Sequence, residues 1–183
     1  SPEKEKFKNG GIFLKKIIFC LMLLIIFVAT PVFGLPSFQN SPDGFRGIKW
    51  GDPPSTLGNY ESLSGNDEYM KIYTRPDDKM RLGEVRLYNI YYIFYLDRFI
   101  GIHITTVSEY FSELKDILIT QFGEPKQKNP NIEEYTWVDS KAVMVLEKEI
   151  FSKFCNFRIT SCVEMDLMEK DKKERSKNAS QDF

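Results

Sequence analysis

Twelve consecutive residues, Val85–Leu96 (VRLYNIYYIFYL), contain neither glycine nor proline and are mostly aromatic or β-branched. Side chains of this kind lose rotamer freedom in a helix and pack well on a pleated surface, so the segment reads as a long strand. Asp97-Arg98 follows as a turn into Phe99–Thr105, where Ile100, Ile102 and Ile104 fall on one face by period-two alternation and Gly101 and His103 on the other. Such a pair commits the chain to an antiparallel sheet. The segment 85–96 is apolar on both faces: Leu87, Tyr91, Ile93 and Tyr95 alternate with Tyr88, Ile90, Tyr92, Phe94 and Leu96. A sheet with one wet face needs only one apolar set. Two readings stay open: a central strand covered on both sides, or an aromatic surface left open for a partner.

The other elements follow from local signals. Phe45–Trp50 is a short strand, and Asp52 can cap a short turn that starts at Pro53 and ends at Gly58. Tyr69–Thr74 is a second strand. Phe111, Leu114, Leu118 and Phe122 form one helical stripe, widened by Tyr110 and Ile117, which predicts a helix over 108–122 closed by Gly123 and Pro125. Tyr135–Val138 and Ala142–Glu147 form a hairpin, and Phe154–Thr160 is the last strand. Ser161-Cys162-Val163-Glu164 matches a capping box opening a C-terminal helix. The expected fold is α+β: a two-layer antiparallel sheet of six to seven strands with one main amphipathic helix and a C-terminal helix. Residues 35–44 read as a linker, 45–168 as the domain and 169–183 as a charged tail.

The apolar run Ile17–Ala29 has 13 residues, follows Lys15-Lys16 and precedes Pro31 and Gly34. A bilayer span needs about 20 apolar residues, whereas a basic start, a short apolar core and small residues at the exit describe a signal peptide. Residues 1–34 are expected to be that signal, cleaved after Gly34, with an uncleaved inner-membrane anchor as the alternative. The run 1–11 exceeds what such a leader needs and the first methionine is Met22, so an over-extended or truncated reading frame starting near Gly11–Leu14 is expected. Cys20 lies near the start of the apolar run, where a lipobox cysteine does not belong.

Composition excludes several activities. The whole chain has 25 basic and 26 acidic residues, and without its first 34 it has 20 and 24, a net −4. Neither balance suits a nucleic-acid binder. A single histidine rules out a histidine-based metal cluster, and the sequence implies no cofactor. The common nucleotide-binding, hydrolase, zinc and calcium motifs are absent. His103 reads as a strand residue of the outer face. The acidic pairs Asp77-Asp78 and Glu133-Glu134 read as turn and surface residues. A Cys155–Cys162 disulfide is permitted by export. An extended strand would separate residues 155 and 160 by about 16 Å, however, against the roughly 7 Å limit on Cα separation. Buried or free thiols are expected unless a tight turn breaks the strand.

Phe45-Arg46-Gly47-Ile48-Lys49-Trp50-Gly51, then a proline-rich turn with Leu57-Gly58, a helix exit Phe122-Gly123-Glu124-Pro125 and Trp137 in a hairpin together resemble small exported bacterial proteins of unknown function. The resemblance covers most of residues 45–160 and implies a cell-envelope setting without supplying catalytic residues. A fainter similarity, carried by the strand, short helix and Leu-Gly pattern, is to small outer-membrane assembly lipoproteins, whose lipobox cysteine this chain lacks.

The expected function is a non-enzymatic, exported envelope domain that binds an envelope protein, a peptide or a glycan. Its contact residues are Tyr91, Tyr95, Tyr135 and Trp137, the last two added to the outer side of the sheet. The alternatives are a structural homodimer joined through that face and an exported hydrolase using carboxylates or Cys155. Membrane contact enters only through residues 17–33, if uncleaved.

Overall fold

The computed structural model divides the chain into two units, Ser1–Leu35 and Pro36–Phe183. The structure describes residues 38–63, 68–148 and 151–180, all in the second unit. The expected leader of residues 1–34, Cys20 and the expected start of the reading frame lie outside the described residues. Among the described residues no helix is long and apolar enough to cross a membrane.

The FRGIKW segment is a miniature hairpin, β1 (Gly44–Phe45) on β2 (Ile48–Lys49), where one strand was expected. Arg46 and Gly47 both take positive φ (50° and 84°), the conformation of a tight hairpin turn. A single 3-10 turn follows over Pro54–Leu57. Asp52 does not cap it; its carboxylate accepts from the Lys49 N–H and closes the preceding turn.

Strands β3 (Glu61–Ser62), β4 (Met70–Thr74), β7 (Asn89–Tyr95), β8 (Arg98–Val107), β9 (Glu134–Val138), β10 (Ala142–Lys148) and β11 (Phe154–Ser161) form one antiparallel sheet, in the order β3-β4-β7-β8-β11-β10-β9. The long strand predicted over 85–96 is interrupted. Its first residues form β6 (Val85–Arg86), paired with β5 (Arg81–Leu82) in a separate hairpin. The β7–β8 turn falls on Leu96 and Asp97 (φ 47° and 58°), one residue earlier than expected. The fold is α+β, with helices α1 (Phe111–Phe122) and α2 (Cys162–Ala179).

One face of the sheet is closed. Ile90, Tyr92 and Phe94 of β7, Ile102 and Ile104 of β8, Met144 and Leu146 of β10 and Phe157 and Ile159 of β11 join Phe111, Leu114 and Leu118 of α1 in the main core. Phe45, Trp50 and Leu57 from the N-terminal hairpin and turn complete it, with Trp50 stacked on Phe99 at 5.0 Å between centroids. The predicted helical stripe is therefore the one that packs. Gly123 (φ 84°) ends α1 in a backbone conformation that a side chain would strain. The described part of the presumed linker is docked: Phe38 packs on Phe122 at 5.8 Å, and the Gln39 N–H donates to the Phe122 carbonyl.

The three isoleucines of β8 do not share a face. Ile93 pairs with Gly101 and Phe94 with Phe99, so Ile100 is an extra residue in β8. An inserted residue reverses the alternation. Ile100 therefore leaves the main core and joins Tyr95 and Met168 in a second cluster on the opposite face, under α2.

Candidate functional site

The face opposite α1 is laid out by strand register in three rows. The middle row runs Thr136, Val145, Arg158, His103, Tyr91 across β9, β10, β11, β8 and β7. One flanking row is largely apolar: Val138, Val143, Thr160, Gly101, Ile93, Ile72. The other is polar: Glu134, Glu147, Asn156, Thr105, Asn89. Nearly all of these side chains are partly or wholly accessible, in contrast with their buried neighbours one residue away on the same strands. Gly101 is the exception. The β8 backbone lies so close to β11 there that a Cβ would sit 2.5 Å from the Ile159 carbonyl oxygen.

The middle of the face is ordered by side-chain contacts. The His103 Nε2 lies 3.0 Å from Asn156 Oδ1, and the Thr105 hydroxyl donates to that same oxygen at 3.4 Å. Asn156 Oδ1 thus sits between two side chains of β8. Arg158 donates to Glu147 at 2.8 Å. Tyr91 meets the His103 ring edge-on at 6.0 Å, and Tyr88, 62% exposed, tilts against Phe154 at 5.1 Å. Rings held by neighbours, flanked by an amide and a carboxylate, can take up the mixed polar and apolar surface of a peptide or glycan.

The four aromatic residues singled out in the sequence do not form one surface. Tyr91 lies on this open face. Tyr95 shares its strand face but is 4% exposed beneath α2. Trp137 and Tyr135 point the other way: Trp137 is 2% exposed in the main core and donates its indole N–H to the Gly123 carbonyl at 2.7 Å. Tyr135 packs on Phe111 at 6.0 Å, with the Lys115 ammonium 4.9 Å from its ring. The placement of Tyr135 and Trp137 on the outer side is thus corrected. The β9 register against β10 aligns Trp137 with Met144 and Tyr135 with Leu146, both core residues, so these rings must face α1.

The groups considered for hydrolysis are dispersed. Cys155 is buried on the core face and its thiol is pushed up to about 11 by burial, while His103 lies on the opposite face of the sheet. Cys155 and Cys162 are free thiols on a continuous strand and the helix after it, so the disulfide is not formed. Asp78 is engaged by Arg46 at 3.0 Å and by the Tyr92 hydroxyl at 2.8 Å. Glu133 pairs with Lys148 at 3.2 Å. Among the described residues no three histidine, cysteine or acidic side chains converge as a metal site.

Residues His103, Asn156, Arg158 and Glu147 were not singled out as contact residues from the sequence. They are single polar residues spread over three strands, β8, β10 and β11, and only strand order brings them together. No protein family, curated protein or solved structure matches this chain.

Proposed function

We propose that this chain is an exported, non-enzymatic binding domain of the bacterial envelope, and that the open sheet face centred on Tyr91 and His103 is its contact surface. The export reading rests on the leader pattern of residues 15–34, and the envelope setting on the resemblance of the Phe45–Gly51 opening to small exported bacterial proteins. One observation carries the binding reading. The face opposite α1 presents Ile72, Tyr91, Val143 and Val145 at strand positions that a solvent-only face would fill with charged residues, and among the described residues α2 covers only part of it.

The test is site-specific photo-crosslinking in bacteria. A benzophenone amino acid is placed at Thr105 on the open face and, separately, at Thr120 on the exposed side of α1. The domain predicts a defined adduct from position 105 in the envelope fraction and none from 120, on a chain whose mature mass begins at Leu35. Equal labelling from both positions, or none from 105, would contradict it.

A further inference from the structure

Helix α2 is held on the sheet by an unusual stripe. Glu164, Met168, Asp171 and Arg175 recur at the i, i+4, i+7, i+11 spacing of one helical face, and three of the four are charged. Glu164, 6% exposed at its side chain, takes both the Nε and an Nη of Arg98 at 2.7 Å. The Tyr95 hydroxyl donates to Asp171 and accepts from Arg175. The Arg175 guanidinium lies 3.7 Å from the centre of the Tyr69 ring. Among the described residues the apolar attachment is that of Met168 and Met165 on Tyr95, Ile100, Tyr69, Met70 and Ile93. The main core offers α1 no such choice, since its stripe is aliphatic and aromatic throughout.

The helix also has its own reasons to stay helical when it leaves. Ser161 caps its start by accepting from the Glu164 N–H at 3.3 Å. Glu169 and Lys173, Lys170 and Glu174, and Asp171 and Arg175 stand at i,i+4 spacing, and the last pair is closed at 3.1 Å. The surface it covers continues the open face: Ile93 and Tyr95 are the residues next to Tyr91 on the same face of β7.

We propose that α2 is an ionic latch over part of the binding face, which swings from Ser161 to expose Tyr95, Ile100, Tyr69 and Met70 beside Tyr91. This deepens the binding reading and rests on it. Salt screens the latch more than the sheet, because charged contacts hold the helix and apolar contacts hold the core.

Hydrogen exchange followed by mass spectrometry on the full chain tests the opening. Amides of residues 166–179 should exchange at least about tenfold faster than those of β8 and β11. Arg175→Ala and, independently, Glu164→Gln should raise α2 exchange further while leaving the sheet unchanged, as should raising the salt. Exchange of α2 and β8 at one common rate, unmoved by salt or by either variant, would overturn the latch. Crosslinking yield from position 105 should rise in Arg175→Ala. An adduct whose yield falls or stays constant removes the latch from the binding face but leaves the binding reading standing. No adduct in either protein removes both.

Discussion

At the scale of single residues, Tyr92 shows how the closed face is tied down. Its ring is buried between Phe45 and Phe99, and its hydroxyl donates to Asp78, which also holds Arg46 of the first hairpin. Burial first, then the hydrogen bond to the Asp78 carboxylate, raises the phenol well above its ordinary value. A raised phenol binds its proton more tightly in the folded chain than in the unfolded one. The stability this provides is complete below pH 10 and is lost as the pH climbs past the ordinary tyrosine value. Chemical denaturation should therefore show stability falling above pH 10, with Tyr92 contributing up to about 1.4 kcal/mol per pH unit. Tyr92→Phe should flatten that decline and cost about 1–3 kcal/mol at neutral pH, by leaving Asp78 short of a donor. The two cysteines provide a second check. Cys155 is fully buried and Cys162 only partly so. In the native protein an alkylating reagent should modify Cys162 first, and reach Cys155 only on denaturation. Equal native reactivity of the two would show that β11 is not buried on its core face.

At the scale of elements, Trp137 anchors β9 to the end of α1 by filling the core and bonding Gly123. Trp137→Ala should cost about 3–5 kcal/mol, read as a shift in the denaturation midpoint. A surface residue would cost almost nothing. That contrast marks where the sequence was legible. Helix α1 could be read because its stripe repeats through Phe111, Leu114, Leu118 and Phe122, and period 3.6 names a face without knowledge of the rest of the fold. The hairpin strands could be read from alternation. Alternation yields two faces, however, and not which of them meets the helix, so it cannot tell that Tyr135 and Trp137 face the core. The breaks in the pattern were equally hidden. The bulge at Ile100 leaves the residue types unchanged, and the Arg46-Gly47 and Leu96-Asp97 turns use only one glycine among four positions of positive φ. The start of α2 was visible in its capping box, of which only the serine half is used, since the Glu164 carboxylate goes to Arg98. Its docking was not visible, because a stripe of glutamate, aspartate and arginine reads as a solvated tail.

At the scale of the whole molecule, the described residues close one face of the sheet and leave much of the other uncovered. The closed side carries aromatic and aliphatic packing from α1 and the N-terminal hairpin, while the open side carries Tyr91, His103, Asn156 and Arg158 between an apolar row and a polar one. This asymmetry is the basis of the binding reading. The face also contains its own reporter, since His103 is the single histidine of the chain and lies in the middle row. The decisive measurement is the rate at which diethylpyrocarbonate acylates His103, read by mass spectrometry on the intact chain, first in the purified protein and then in freshly isolated envelopes. An open face that serves as a contact surface predicts ready labelling of the purified chain and protection of about fivefold or more in the envelope. Equal rates in the two settings, or no labelling of the purified chain, would contradict the account.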